Sequence, residues 1–189
     1  MQLESGKKIS TRLNKRHLLK YLGAGAVAGG IGLFAKEKAQ AQGHTSAVPY
    51  VYMHGTSVQV EYTDRIESIL RQGFYTTIVG KPNTFNWFHF AIPTLVITGK
   101  EKVKGVQVLF RTDSNNVVMK NVHLYIGTQK VSPKDNLNLY GSNGFGYITL
   151  NTPVSASGPV GISVGVSFGA TANRSIQFLQ ASGQFEDLT

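Results

Sequence analysis

Three histidines and one glutamate of this chain carry side chains that can ligate a divalent metal. They are His54, His89, His123 and Glu61. The histidines fall in three separate strand-like segments, and imidazoles from neighbouring strands are suitable ligands for zinc or a similar ion. There is no H-x-H or H-x-x-E pair, so spacing gives no local support for a metal and the cofactor stays open. A packing or hydrogen-bonding role is the simpler alternative for each histidine.

A second candidate chemistry is aromatic stacking. The segment NWFHF alternates, which puts Trp87 and His89 on one face and two phenylalanines on the other. Together with Tyr50, Tyr52 or Tyr75, this pair would form a platform for a sugar or another flat ligand, because such rings offer an apolar face and a polar edge. The simpler alternative is that the phenylalanines fill the core while Trp87 covers a loop.

A third pattern, G-x-S-x-G at 161–165, resembles the sequence around the nucleophile of many serine hydrolases. That nucleophile stands on a sharp turn between a strand and a helix, and its histidine partner comes later in the chain. Here the alternation continues through Ser163 into Val166 and Phe168, and no histidine follows His123. The sequence therefore predicts an ordinary strand residue at Ser163 and assigns no catalytic residue.

The elements that must position these side chains are strands. From residue 48 onward, short period-2 patterns follow one another, separated by Gly, Pro, Asn and Asp. About nine or ten short strands and almost no helix predict an all-β fold, an antiparallel β-sandwich or jelly roll. The clearest strand carries Ile162, Val164 and Val166 on one face and only small residues on the other. A small face predicts another element packed closely against it.

Two local patterns predict departures from plain strands. Residues 64–71 (DRIESILR) predict a helix of two turns that ends before Gly73. Residues 141–144 (GSNG) predict a hairpin turn between strands at 136–140 and 146–150.

The N-terminal region, residues 1–41, has the features of an export signal. Residues 15–20 (KRHLLK) resemble the twin-arginine motif with lysine in the first arginine position, and 39–41 (AQA) form a small-x-small cleavage site. The apolar stretch at 21–35 is short for a membrane span, which needs about 20 residues. A membrane-anchoring N-terminal helix is the alternative.

We expect cleavage after Ala41, a flexible mature N-terminus at 42–49 and one β-sandwich domain at 50–189. The leader would engage the twin-arginine export machinery, which places the protein in the periplasm or outside the cell.

Charge and cysteine content exclude several classes of function. The net charge is +9, but residues 1–41 hold eight basic and two acidic residues, whereas 42–189 hold eleven and eight. Most of the excess thus belongs to the leader, and a nucleic-acid partner for the mature domain is not supported. The absence of cysteine excludes disulfides and thiol chemistry, so the domain must be held by its core.

Several segments stand in a characteristic order along the chain. They are MHGT at 53–56, GKP and NWFH followed by IPT within 80–94, NVHLY at 121–125, DNL at 135–137 and GISVGV at 161–166. As a set they resemble a family of small bacterial proteins of unknown function that are expected to be all-β. The resemblance covers roughly residues 50–186. It implies that the three histidines, Trp87 and Lys81 are family features, and it assigns none of them a role.

Three functions therefore stay open. The first is a binding or surface module that recognises a glycan or another small ligand through Trp87 and His89. The second is a small metal-dependent enzyme using His54, His89 and His123, which convergence of the three imidazoles would favour. The third is a structural or self-assembling envelope protein with open sheet edges. The sequence gives neither the ligand nor the oligomeric state.

Overall fold

The computed structural model describes residues 50–94, 101–141 and 145–186. This part of the chain forms eleven β-strands and two short 3₁₀ helices, Gly55–Ser57 and Thr63–Arg65. The strands are β1 (Tyr50–His54), β2 (Gln59–Val60), β3 (Ile66–Gln72), β4 (Tyr75–Gly80), β5 (Thr84–Ile92), β6 (Lys102–Thr112), β7 (Val117–Ile126), β8 (Gln129–Lys134), β9 (Phe145–Ser155), β10 (Val160–Phe168) and β11 (Ser175–Glu186). The predicted leader, its cleavage site after Ala41 and the predicted flexible segment at 42–49 lie outside the described residues.

The described strands pair in two antiparallel sheets. Sheet A has the order β3-β4-β11-β6-β9, and β1 pairs with the second half of β11. Sheet B has the order β2-β5-β10-β7-β8. The predicted all-β fold, an antiparallel sandwich, is confirmed, with eleven strands in place of nine or ten.

The core lies between the two sheets and is built from their inward-facing side chains. On β10, Ile162, Val164 and Val166 are buried, as the alternation predicted. Phe178 of sheet A packs between two phenylalanines of sheet B, with ring centroids 5.1 Å from Phe88 and 5.6 Å from Phe90. Burying one such side chain contributes about 1.5–3 kcal/mol to folding. This core joins the sheets without any disulfide.

The predicted helix at 64–71 is wrong. The chain makes one 3₁₀ turn at Thr63–Arg65 and then enters β3, an edge strand that pairs with β4. Gly73 has a φ of +52°, and this left-handed turn residue lets β3 fold straight back into β4. The hairpin ladder pairs backbone N–H and C=O groups that a helix of only two turns would have left largely without hydrogen-bond partners. In the described part of the chain, no helix is both long and apolar enough to cross a membrane.

The predicted hairpin around residues 141–144 is also wrong. Residues 136–140 form no regular strand and make a single bridge, from Leu139 to Met119 of β7. Strand β9 pairs with β6 in sheet A instead. The two segments therefore belong to different sheets, and residues 142–144 lie outside the described residues.

Candidate functional site

The outward face of β10 is the floor of a groove on sheet B. Gly161 and Ser163 alternate with buried apolar residues, so they face away from the core. In register, Ser163 lies between His89 of β5 and His123 of β7, and Gly161 lies between Ala91 and Tyr125. The small residues of β10, flanked by larger side chains such as His89, His123 and Tyr125, leave a channel along this strand.

We call this channel the β10 groove. Two adjoining depressions form it, of about 220 Å³ and 300 Å³, and they share His89, Tyr125 and Ser163. The first is also lined by Glu61, Trp87, His123 and Lys130, and the second by Gln59, Ala91, Gly127, Pro159 and Gly161 among others. The groove is therefore polar and aromatic at one end and more apolar at the other.

Gly165 marks the end of the groove. A Cβ atom added there would lie 2.6 Å from Cζ of Phe85 and 2.7 Å from Oδ1 of Asn121, so these side chains already cover this part of β10. At Gly161 the nearest atoms to such a Cβ are 3.9 Å away. The close packing predicted for the small face of β10 thus occurs at Gly165, whereas the face is open around Gly161 and Ser163.

A chain of two hydrogen bonds runs from a carboxylate through an imidazole to a hydroxyl. Glu61 Oε2 lies 2.9 Å from His89 Nε2, and His89 Nδ1 lies 2.9 Å from Ser163 Oγ. An ionised carboxylate only accepts, so the Nε2 atom carries hydrogen. In the neutral imidazole, Nδ1 is then the acceptor, and the Ser163 hydroxyl donates to it.

Glu61 is held in place through the backbone around it. The N–H of Glu61, one residue beyond the end of β2, donates to the Trp87 carbonyl at 3.0 Å. Next to it, Asn86 is fully buried and its side chain bonds both backbone groups of Tyr62, accepting from N–H at 3.0 Å and donating to C=O at 2.7 Å. The amide therefore extends the pairing of β2 with β5 and fixes the carboxylate beside His89.

The Glu61 carboxylate also acts on a neighbouring phenol. Its hydrogen bonding and its negative charge raise the pKa of Tyr62 above the ordinary value. The guanidinium of Arg65 opposes this shift and lies 4.1 Å from the centre of the Tyr62 ring.

A second carboxylate–imidazole pair faces the first across Ser163. His123 Nε2 lies 2.7 Å from Asp135 Oδ1, and the amide of Asn121 donates to the same oxygen. These two hydrogen bonds, that of His123 first, lower the pKa of Asp135. The His123 side chain is 8% exposed, against 38% for His89.

Trp87 is fixed between two rings at the polar end of the groove. Its ring centroid lies 5.3 Å from Phe85 in an edge-on arrangement and 4.9 Å from His123. Tyr125, two residues further along β7, has its ring centroid 6.4 Å from that of His123. The aromatic side chains therefore form a connected row along one part of the groove.

Of the side chains predicted to bind a ligand, the fold brings only Trp87 and His89 into one site. Tyr52 lies on β1 of sheet A, 59% exposed and stacked on Tyr50 with ring centroids 5.8 Å apart. Tyr75 lies on β4 of the same sheet and donates a hydrogen bond to Gln72. Neither tyrosine borders the groove.

The predicted metal ligands also separate. His54 is exposed on β1 of sheet A, whereas His89 and His123 lie on strands of sheet B with β10 between them. Glu61 reaches His89 alone of the three histidines. Within the described residues, no group of three or more His, Cys, Asp or Glu side chains is arranged to hold a metal ion. The structure therefore does not assemble this site.

Sequence reasoning missed several side chains of the groove, among them Ser163, Tyr125, Lys130 and Gln59, and it missed Asp135, which bonds His123. Ser163 lies in a straight strand, as predicted, and makes no elbow. Its place in the groove follows from the small face of β10, a pattern the sequence did display. The pairing of Asp135 with His123 had no comparable pattern, because it depends on the turn that follows β8.

A family model for a "family of unknown function" (DUF6623) matches residues 48–183. This match spans most of the chain, and the protein belongs to that family. No curated protein matches the sequence.

Several solved structures resemble the fold at low sequence identity. A low-affinity xylan-binding module (CBM86) from the gut symbiont Roseburia intestinalis is 10% identical, with a TM-score of 0.47 over 73% of this chain and 96% of that one. A family two carbohydrate esterase from Cellvibrio japonicus is 8% identical, with a TM-score of 0.43 over 76% of this chain and 36% of that one. A cyclase from Fischerella sp. TAU is 10% identical, with a TM-score of 0.41 over 76% and 89%. Similarity of this degree does not transfer a function.

Proposed function

We propose that the protein is an exported binding module that recognises a carbohydrate in the β10 groove. The observation that carries this proposal is the setting of Trp87, whose ring is held by Phe85 and His123 at the polar end of an open groove. A sugar has apolar C–H faces and a rim of hydroxyl groups. It therefore suits a site that combines a fixed ring with several hydrogen-bonding side chains.

The polar side chains of the groove favour an uncharged, hydroxyl-rich ligand. The Glu61 carboxylate can accept from hydroxyl groups, the Ser163 hydroxyl can accept from them, and Lys130 and Gln59 add donors. Glu61 and Lys130, which line the groove, offset each other in charge. A site for a phosphate backbone needs an excess of basic groups, which disfavours nucleic acid as the partner.

Glycan binding is tested with an array and then by titration of the best ligand into the purified domain. Trp87→Ala should weaken binding at least about tenfold, since loss of a central aromatic anchor costs about 2 kcal/mol or more. Tyr52→Ala is the matched control, because Tyr52 is an exposed aromatic residue on the other sheet and should leave affinity unchanged. If thermal unfolding shows that both variants are folded and they bind the glycan equally well, the groove is not the binding site. If the protein binds no glycan on the array, its ligand is not a sugar.

Export is the other half of the proposal. It is supported by the KRHLLK segment, the following apolar stretch and the AQA site, which would release a mature protein beginning at Gln42 into the periplasm or the medium.

A further inference from the structure

We propose that Ser163 is a nucleophile activated by His89 and Glu61, and that the β10 groove hydrolyses small, uncharged acyl esters. The reaction would share the groove with the proposed carbohydrate site, but it does not require a sugar to bind.

The hydrogen bonds of these three residues point in the direction that catalysis needs. Glu61 fixes the proton of His89 on Nε2, which leaves the Nδ1 lone pair facing the Ser163 hydroxyl at 2.9 Å. The imidazole can therefore take the serine proton, and the carboxylate stabilises the positive charge that results. Such a triad is recognised by geometry and roles, since the order of its members along the chain differs between unrelated folds.

The three members come from adjacent strands or their ends. Glu61 follows β2, His89 lies on β5 and Ser163 on β10, and these three strands are neighbours in sheet B. The Glu61 N–H donates to the Trp87 carbonyl of β5, and the buried Asn86 amide bonds the backbone of the next residue, Tyr62, so the carboxylate is positioned by the sheet and not by a free loop. A constellation built on strands is held more rigidly than one built on loops.

Ser163 is accessible to a substrate although it does not stand on an elbow. In an elbow a sharp turn lifts the nucleophile out of the sheet. Here Ser163 lies mid-strand and lines both depressions, next to Gly161, which has no side chain on this face. An ester can therefore approach Oγ from the Gly161 side, where nothing lies within 3.9 Å of an added Cβ.

The reaction balances with water as the co-reactant. Ser163 Oγ bonds to the ester carbonyl carbon while its proton moves to His89 Nδ1, and the C=O π pair becomes an alkoxide. Collapse of this intermediate breaks the bond to the leaving oxygen, which takes the proton from His89 and departs as an alcohol. Water then attacks the acyl-serine, gives a proton to His89, and releases the acid as that proton returns to Ser163.

The charge on the intermediate must be stabilised by a side chain. Strand β10 pairs with both β5 and β7, so its backbone N–H groups are used in the two ladders. Lys130 lines the same depression as Ser163 and His89. It is the group we assign to the oxyanion. Glu61 and Asp135 nearby disfavour a substrate that is itself an anion.

The test uses the mature protein, a fluorophosphonate probe and intact-mass analysis, together with hydrolysis of p-nitrophenyl acetate. We expect one adduct per molecule, on Ser163, and no adduct in Ser163→Ala. His89→Gln should slow labelling about 100-fold or more, because general-base assistance of this kind is worth 10²–10⁴-fold. Lys130→Met should slow ester hydrolysis about 100-fold.

Ser167→Ala is the matched control. Ser167 faces the same side of β10, but it lies between Phe85 and Val118 instead of two histidines, so this variant should label and hydrolyse like the unmodified protein. Absence of an adduct, an adduct on another residue, or equal labelling of the Ser163 and Ser167 variants would overturn the proposal.

Glycan binding is measured on the same samples, so the two proposals fail separately. Retained sugar binding without labelling overturns the nucleophile alone. Labelling of Ser163 without binding of any glycan supports the nucleophile and overturns the carbohydrate proposal alone.

Discussion

The two histidines that flank Ser163 differ in how they are surrounded. His89 is half exposed, with one nitrogen on Glu61 and the other on Ser163, so both of its nitrogens belong to the relay. His123 is buried, bonded to Asp135 and in contact with the ring of Trp87. In the proposed reaction His89 is therefore the base, whereas His123 contacts the tryptophan and takes no part in the relay.

The stability of the folded protein should decrease at acidic pH, and part of that decrease should be due to Asp135. Hydrogen bonds from His123 and Asn121 favour its ionised form, so its pKa in the folded state is lowered. The resulting stabilisation is fully present above the ordinary aspartate pKa, roughly 4, and is lost as the pH falls through the lower folded-state value. The side chain is 47% exposed, so water screens the effect and keeps it small.

Thermal unfolding between pH 6 and pH 3 measures this effect. Asp135→Asn keeps the shape and removes the titration, so the unmodified protein should have the higher Tm at pH 6 and the difference should shrink towards pH 3. If the difference in Tm stays constant, or grows as the pH falls, the hydrogen bonds of the ionised Asp135 carboxylate do not stabilise the folded protein.

At the scale of elements, β10 determines both the core and the groove. Its inner face is apolar throughout and its outer face is small throughout, and that second property creates the groove. The two glycines of the outer face are not equivalent. Gly165 is covered by Phe85 and Asn121, whereas Gly161 is open.

This difference predicts opposite effects of the same substitution at two positions. Gly165→Ala would bring a Cβ within 2.6 Å of Phe85, so it should cost about 1–3 kcal/mol of unfolding free energy in urea. Gly161→Ala has ordinary contacts at 3.9 Å and should leave stability equal or slightly higher, because glycine weakens a strand. It would also raise the floor of the groove and weaken ligand binding. If the two variants have equal free energies of unfolding, the side chains of Phe85 and Asn121 can move away from the new Cβ atom at no cost in stability.

Alternation along the chain was sufficient to predict the fold class, the apolar face of β10 and the shared face of Trp87 and His89. It could not predict which strands become neighbours. Glu61 and His89 are 28 residues apart, and His89 and Ser163 are 74 apart, so their contacts exist only once β2, β5 and β10 are side by side. For the same reason Tyr52 and His54, which have suitable chemistry, fall on the other sheet.

The failed helix at 64–71 has a different cause. Ile66, Ile69 and Leu70 have helical spacing, but Gly73 closes a hairpin and β4 supplies a complete ladder of partners. Tertiary pairing therefore overrode a short local pattern, as is common for helices of two turns.

At the scale of the whole molecule, the two sheets present different outer surfaces around one core. Sheet B carries the polar and aromatic groove, and sheet A carries the stacked pair Tyr50 and Tyr52. Because the chain has no cysteine, formation of this core needs no oxidising compartment. The domain can therefore fold in the cytoplasm, as the proposed twin-arginine export would require.

Export and cleavage are predicted together. In the native host, the protein recovered outside the cytoplasm should begin at Gln42 and have the mass of residues 42–189. Replacing both Lys15 and Arg16 with glutamine should leave the precursor uncut in the cytoplasm, because the basic pair is what the export machinery recognises. The matched control replaces Lys7 and Lys8, a basic pair of the same leader outside the motif, and should be exported and cut normally. Cell fractionation with intact-mass analysis measures both outcomes, and equal export of the two variants, or a mature protein that starts before Gln42, would contradict the prediction.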